Sequence, residues 1–114
     1  MKQNLIQELS FNFALQIIEL YKRMQSQNEY IISKQVLRSG TSIGANVEEA
    51  IAGISKKDFI AKLSISSKEA RETKYWLRLL KESNLVDIDV SNELKSIESI
   101  INVLTKIIKT SQGN

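Results

Sequence analysis

The carboxylates are the first place to look for chemistry in this chain. Glu48 and Glu49, with Glu69 and Glu72, are the only candidates for paired carboxylates. Two carboxylates held together can divide acid and base work, or grip a metal ion. Di-iron bundles add Glu-x-x-His on facing helices, and this chain has no His. Glu48 and Glu49 are also sequence neighbours, so on a helix they point about 100° apart. They read as solvated or ion-paired groups, with Lys68 and Glu72 forming an i,i+4 pair. The lack of His removes the commonest general base, and the lack of Cys removes thiol nucleophiles, disulfides and thiolate metal sites. Helical-bundle ribonucleases use an Arg and a His, so that reading fails as well. No catalytic residue, metal or cofactor is expected, and the chain reads as a non-enzyme.

The cations suggest a different chemistry. Lys56, Lys57, Lys62, Lys68, Arg71, Lys74, Arg78 and Lys81 crowd one stretch, against Asp58, Glu69, Glu72 and Glu82. On a helical wheel Lys56, Lys57, Arg71, Lys74, Arg78 and Lys81 fall on one side, where Tyr75 also projects. Such a row can track phosphates and an aromatic can stack on a base, so these seven residues form the candidate nucleic-acid-binding surface. A solvated charged face is the competing reading. The net charge of +3 permits polynucleotide contact without requiring it.

The elements that position these groups are helices. Leu5, Leu9, Phe13, Leu20 and Met24, with Ile6, Ile17 and Ile18 alongside, predict a helix over about 4–26. Ser26, Gln27 and Asn28 supply a turn. Ile32, Val36, Gly40, Ile43, Val47 and Ala50 predict a second helix over about 29–52. Inside it Gly40 and Gly44 each cost about 1 kcal/mol relative to Ala, a cost that close approach of a neighbouring helix would offset. A phosphate loop is excluded, because no Gly-Lys-Ser/Thr follows and no strand precedes.

Gly53 is expected in the left-handed position past that helix, and Ser55 with Asp58 resembles a capping box. Phe59, Leu63, Ser66, Ala70, Thr73, Leu77 and Leu80 predict a third helix over about 56–83, whose small middle can face the small middle of the second. Trp76 at its edge reads as a core aromatic. After Ser83 and Asn84, the stretch from Leu85 to Ile88 is a partly buried connection, with Asp87 or Asp89 as the next N-cap. Val90, Leu94, Ile97, Ile101, Leu104 and Ile108 predict a fourth helix over about 89–111, followed by a frayed tail.

Short connections and the absence of Pro make this an all-α, antiparallel up-down-up-down four-helix bundle, one domain over its 114 residues. No apolar run approaches the roughly 18–20 residues of a membrane span, and polar residues interrupt the N-terminus where a signal peptide would be apolar. The expected location is the cytoplasm.

Two features point to an oligomer. Arg38, Ala45 and Glu49 share the face of the second helix opposite its apolar stripe, and could form a subunit seam closed by Arg–carboxylate pairs. Exposed helix surface is the alternative. In the fourth helix Ile100 and Ile107 add a second apolar row that three neighbours would not cover, suggesting an interface. A protein-only interaction module using that surface is the alternative to polynucleotide binding.

The block from Leu37 to Ala50, then Ser55 to Phe59, then Glu69 to Leu77, resembles the four-helix-bundle proteins of intervening sequences in bacterial 23S ribosomal RNA genes. The resemblance spans roughly residues 10 to 110. It implies a homopentamer, barrel-like around a central channel. It also implies kinship with the accessory protein of diversity-generating retroelements, a basic pentameric bundle that associates with a reverse transcriptase and nucleic acid. Arg38, Asn46 and Glu49 match signature positions whose role is in packing or assembly. No catalytic residue is carried over, and the implied partners are other copies of the chain, RNA or DNA, and a nucleic-acid-processing protein.

Overall fold

A computed structural model describes the backbone of residues 2–113 and the side chains of 5–113. Met1 and Asn114, the ends of the expected signal-free N-terminus and of the expected tail, lie outside the described residues. Four helices follow in order: α1 (Lys2–Ser26), α2 (Ile32–Ile51), α3 (Lys56–Ser83) and α4 (Ser91–Gln112). They pack as a bundle 46 × 20 × 20 Å in extent, with α1 against α2 and α4, and α3 against α2 and α4. Contacts run in opposite senses along neighbours. Gln7 of α1 reaches Glu48 of α2 while Gln25 reaches Ser33, and Arg38 of α2 reaches Glu72 of α3 while Glu49 reaches Lys62. No described helix is long and apolar enough to cross a membrane.

The buried row of α1 is Ile6, Ser10, Phe13, Ile17, Leu20 and Met24. Phe13, Leu20 and Met24 are buried as expected, but at the N-terminal end the face shifts: Leu5 is exposed and Ile6 is core, and of the flanking residues Ile17 is core and Ile18 exposed. The reason is Ser10, whose hydroxyl donates to Ile6 O at 2.7 Å and so sits in the core although polar. Its small size admits α2. A Cβ added at Gly40 would lie 2.9 Å from Ile17 Cγ1 and Cγ2, and one at Gly44 would lie 3.4 Å from Ser10 O. The glycines therefore serve the α1 contact, Gly40 strictly and Gly44 loosely. Serine and threonine serve the α3 contact: Ser66 Oγ donates to Ile43 O at 2.9 Å, and Thr73 Oγ1 to Ser39 Oγ at 2.8 Å.

The helix ends differ from expectation in four places. Gly53 has no positive φ; the left-handed residues are Asn28 and Asn84, the amide side chains that tolerate this region best after glycine. α2 starts at Ile32 because the Glu29 carboxylate accepts from the N–H groups of Ile31, Ile32 and Ser33 at 3.1, 3.0 and 2.7 Å. α4 runs through Gln112, so Thr110 and Ser111 are helical and not a frayed tail. The third helix starts as expected, with Ser55 Oγ accepting from Asp58 N. The N-cap of α4 is Val90, not Asp87 or Asp89; Asp89 sits one residue outside it, where its Oδ1 accepts from Ser91 N at 2.9 Å. Val86 of the last connection is buried, and Gln27 brackets the backbone of Asp87 with two hydrogen bonds.

Candidate functional site

The basic row is carried on α3 because this helix buries one narrow seam, Leu63 through Leu80, and leaves the rest of its circumference to water. Lys56, Lys57, Arg71, Tyr75, Arg78 and Lys81 are exposed. Among the described residues, none of those five cations has an ion-pair partner within 4 Å. Lys74 is different. It is half-buried and paired with Glu98 of α4, so it fixes the row's direction as toward α4 and is itself partly neutralised.

Between the two helices runs a groove of about 400 Å³ lined by Ser67, Arg71, Thr105, Ile108, Lys109 and Gln112. Lys109 joins the row there, a residue that no periodicity within α3 could have revealed. Tyr75 stands at the row's edge with its ring 5.3 Å from that of Trp76, nearly edge-on at 67°. Trp76 is half-buried, not a full core residue, and its Nε1 donates to Glu72 Oε2 at 3.0 Å. An aromatic so fixed offers an open ring face beside unneutralised cations.

The carboxylates are committed to partners of this chain. Glu69 and Glu72 receive the Arg38 guanidinium, which also donates to Gln35. The Trp76 N–H holds the Glu72 carboxyl below the usual range, with Arg38 and Lys68 adding to the effect against slight burial. Glu48 accepts from Gln7, and Glu49 pairs with Lys62 at 2.8 Å. Among the described residues no group of three or more acidic side chains could hold a metal ion. The geometry is that of ion-pair clamps between helices, not of an acid–base pair.

For the subunit surfaces the structure redraws the expectation. Arg38 and Glu49 make their pairs within one chain, across the α2–α3 contact. Ala45 is exposed, on the wall of a notch of about 160 Å³ shared with Ser10, Phe11, Ala14, Thr41, Gly44 and Glu48. Ile100 and Ile107 are 1% and 6% exposed, so they belong to the monomer's core and offer no surface to a partner. The expectation failed because it allotted one row of α4 to the bundle. With α1 and α3 on either side, α4 buries both rows. No large apolar side chain of α4 is exposed among the described residues. The open apolar residues lie elsewhere: Phe11 is 63%, Leu15 50% and Ile18 38% exposed on α1. Reading one face per helix hid them.

A solved structure of a protein of unknown function from the S23 ribosomal protein family of Bacteroides thetaiotaomicron superposes with a TM-score of 0.90. It is 44% identical over 96% of this chain and 99% of its own. The family model described as 23S rRNA-intervening sequence protein matches residues 2–110. The chain belongs to that family. No curated protein matches it. The blocks that carry the resemblance are the ones this fold uses for packing: Gly40 and Gly44 against α1, Arg38 across to Glu69 and Glu72. In this chain those blocks build the scaffold.

Proposed function

We propose that this member of the 23S rRNA-intervening sequence protein family is a non-enzymatic homo-oligomeric scaffold, pentameric as the family resemblance implies, that acts in the cytoplasm. It binds RNA or DNA, or a machine that processes them, through the basic side of α3. The observation that carries the reading is the row of exposed cations without ion-pair partners at Lys56, Lys57, Arg71, Arg78 and Lys81, with Tyr75 beside it. Exposed cations with no carboxylate within 4 Å are available to phosphates. Self-assembly is supported by the open apolar residues of α1, which a monomer would leave in water. The protein-only alternative through the α4 surface loses its basis, because Ile100 and Ile107 are buried.

The test is charge reversal at Arg71, Arg78 and Lys81, which leaves the Lys74–Glu98 pair intact. Binding of a mixed short RNA and DNA pool is measured over a salt series. Each phosphate contact contributes a slope of about −0.7 in log K against log salt for single strands. The variant should lose binding and flatten the slope while keeping its helical circular dichroism. Unchanged binding would remove this surface from consideration.

A further inference from the structure

Arg71 of α3 and Lys109 of α4 line the groove of about 400 Å³ between the two helices, one cation from each side. Neither can be neutralised by its own helix. Helical ion pairs form at three and four residues' separation. For Arg71 those positions hold Ser67, Lys68, Lys74 and Tyr75, and for Lys109 they hold Thr105, Lys106, Gln112 and Gly113. No carboxylate stands at any of them. None comes from another helix either: among the described residues no carboxylate lies within 4 Å of Arg71 or Lys109, and no Asp or Glu lines the groove.

The other walls suit a phosphate ester better than a bare ion. Ser67 is half-buried, and among the described residues its hydroxyl has no hydrogen-bond partner, so it is left to donate to a ligand. The Thr105 hydroxyl differs, since it donates to Ile101 O at 2.7 Å. Half-buried Ile108 supplies an apolar wall against which a sugar or base can lie. The volume falls within the usual range of small-molecule sites. α4 ends at Gln112, so the negative end of its dipole, about half a charge, lies nearby. Two full cations outweigh it.

The cleft is also bridged at one end. Lys74, about one turn along α3 from Arg71, crosses to Glu98, about two turns before Thr105 on α4. A strand lying in the groove meets that bridge and must climb out over it or stop. A strand terminus needs no way out. It also matches the charge: a phosphate monoester carries about −1.5 to −2 at pH 7, where an internal phosphodiester carries a single charge.

We infer that this groove holds the terminal phosphate of a nucleic-acid strand, with Arg71 and Lys109 as its two cationic contacts and Ser67 as a hydrogen-bond donor. The inference rests on the polynucleotide reading of the basic side of α3 and adds a preference for strand ends.

The test is fluorescence anisotropy with one short single strand in three forms: 5′-phosphate, 3′-phosphate, and hydroxyl at both ends. A phosphate at one end should tighten binding about tenfold at moderate salt, the gain from one charge-assisted pairing. Lys109→Gln should abolish that gain and leave binding of the hydroxyl-ended strand largely unchanged, because Lys109 lies off the α3 row. Arg78→Gln should weaken all three forms alike and keep the gain. Both side chains are exposed, so helical circular dichroism should not change. Adenosine monophosphate offers the same chemistry from another source. It should displace the phosphorylated strand only in large excess, and displacement at equal concentration would overturn the strand-end assignment in favour of a free nucleotide. Equal affinity for the three forms, or a gain that survives in K109Q, would overturn the end site and leave the basic row standing. No binding of any form would overturn the row itself, and the end site with it.

Discussion

At the scale of single residues, the molecule is governed by how closely three helices approach. Gly40 and Gly44 look alike in sequence, yet an added methyl meets very different surroundings. At Gly40 it would press on the branch point of Ile17, which cannot swing away; at Gly44 it would make ordinary contact with Ser10. Gly40→Ala should therefore destabilise the fold by about 1–3 kcal/mol in denaturant titration despite the better helix propensity of Ala. Gly44→Ala should be neutral or gain up to about 1 kcal/mol. Equal effects would contradict this account of the α1–α2 contact.

Two carboxylates add a pH dependence. Slight burial raises the Glu29 pKa, but the N–H groups of Ile32, Ser33 and Ile31 outweigh it, so its carboxyl titrates below its ordinary value of 4.5. Glu72 is lowered as well, chiefly by Trp76. A depressed folded pKa means that the ionised form stabilises the fold. That stability is complete above the unfolded value near 4.5 and is lost as pH falls through the folded one. Glu29→Gln should reduce the loss of melting temperature on acidification below about pH 4.5, and an unchanged acid profile would show that the Glu29 cap contributes nothing.

At the scale of elements, most of the fold was legible in the sequence and the surfaces were not. The core rows of α2 and α3 follow from spacing alone, because small and apolar residues recur without interruption. Only the N-terminal end of the α1 row was misassigned, because Ser10 breaks the row chemically while filling it sterically. Asn28 and Asn84 were placed in turns, but Glu29 as the cap of α2 carried no signal: its side chain does from the third residue back what Ser or Asp does from the cap position. Whether an apolar row is core or interface is decided by which helices flank it, and that information is tertiary.

The α4 correction has a direct consequence. Ile100→Glu places an unpaired charge in the core and should cost more than about 3 kcal/mol, melting the monomer. Phe11→Glu should retain the helical signal and instead lower the molar mass. The reverse pattern in circular dichroism and light scattering would restore α4 as the interface.

At the scale of the whole molecule, the bundle has an apolar side and a basic side. α1, α2 and α3 present the open aliphatic residues, while Arg71 and Lys109 border the α3–α4 groove and Arg78 and Lys81 are exposed further along α3. If the chain assembles through the first side, as proposed, the second is left free for phosphates. The most direct test is light scattering of the purified protein, with and without a mixed pool of short RNA and DNA, at low and moderate salt. A polynucleotide-free pentamer that takes up nucleic acid and releases it as salt rises is the predicted result. A monomer, or an oligomer that ignores nucleic acid at every salt concentration, would contradict it.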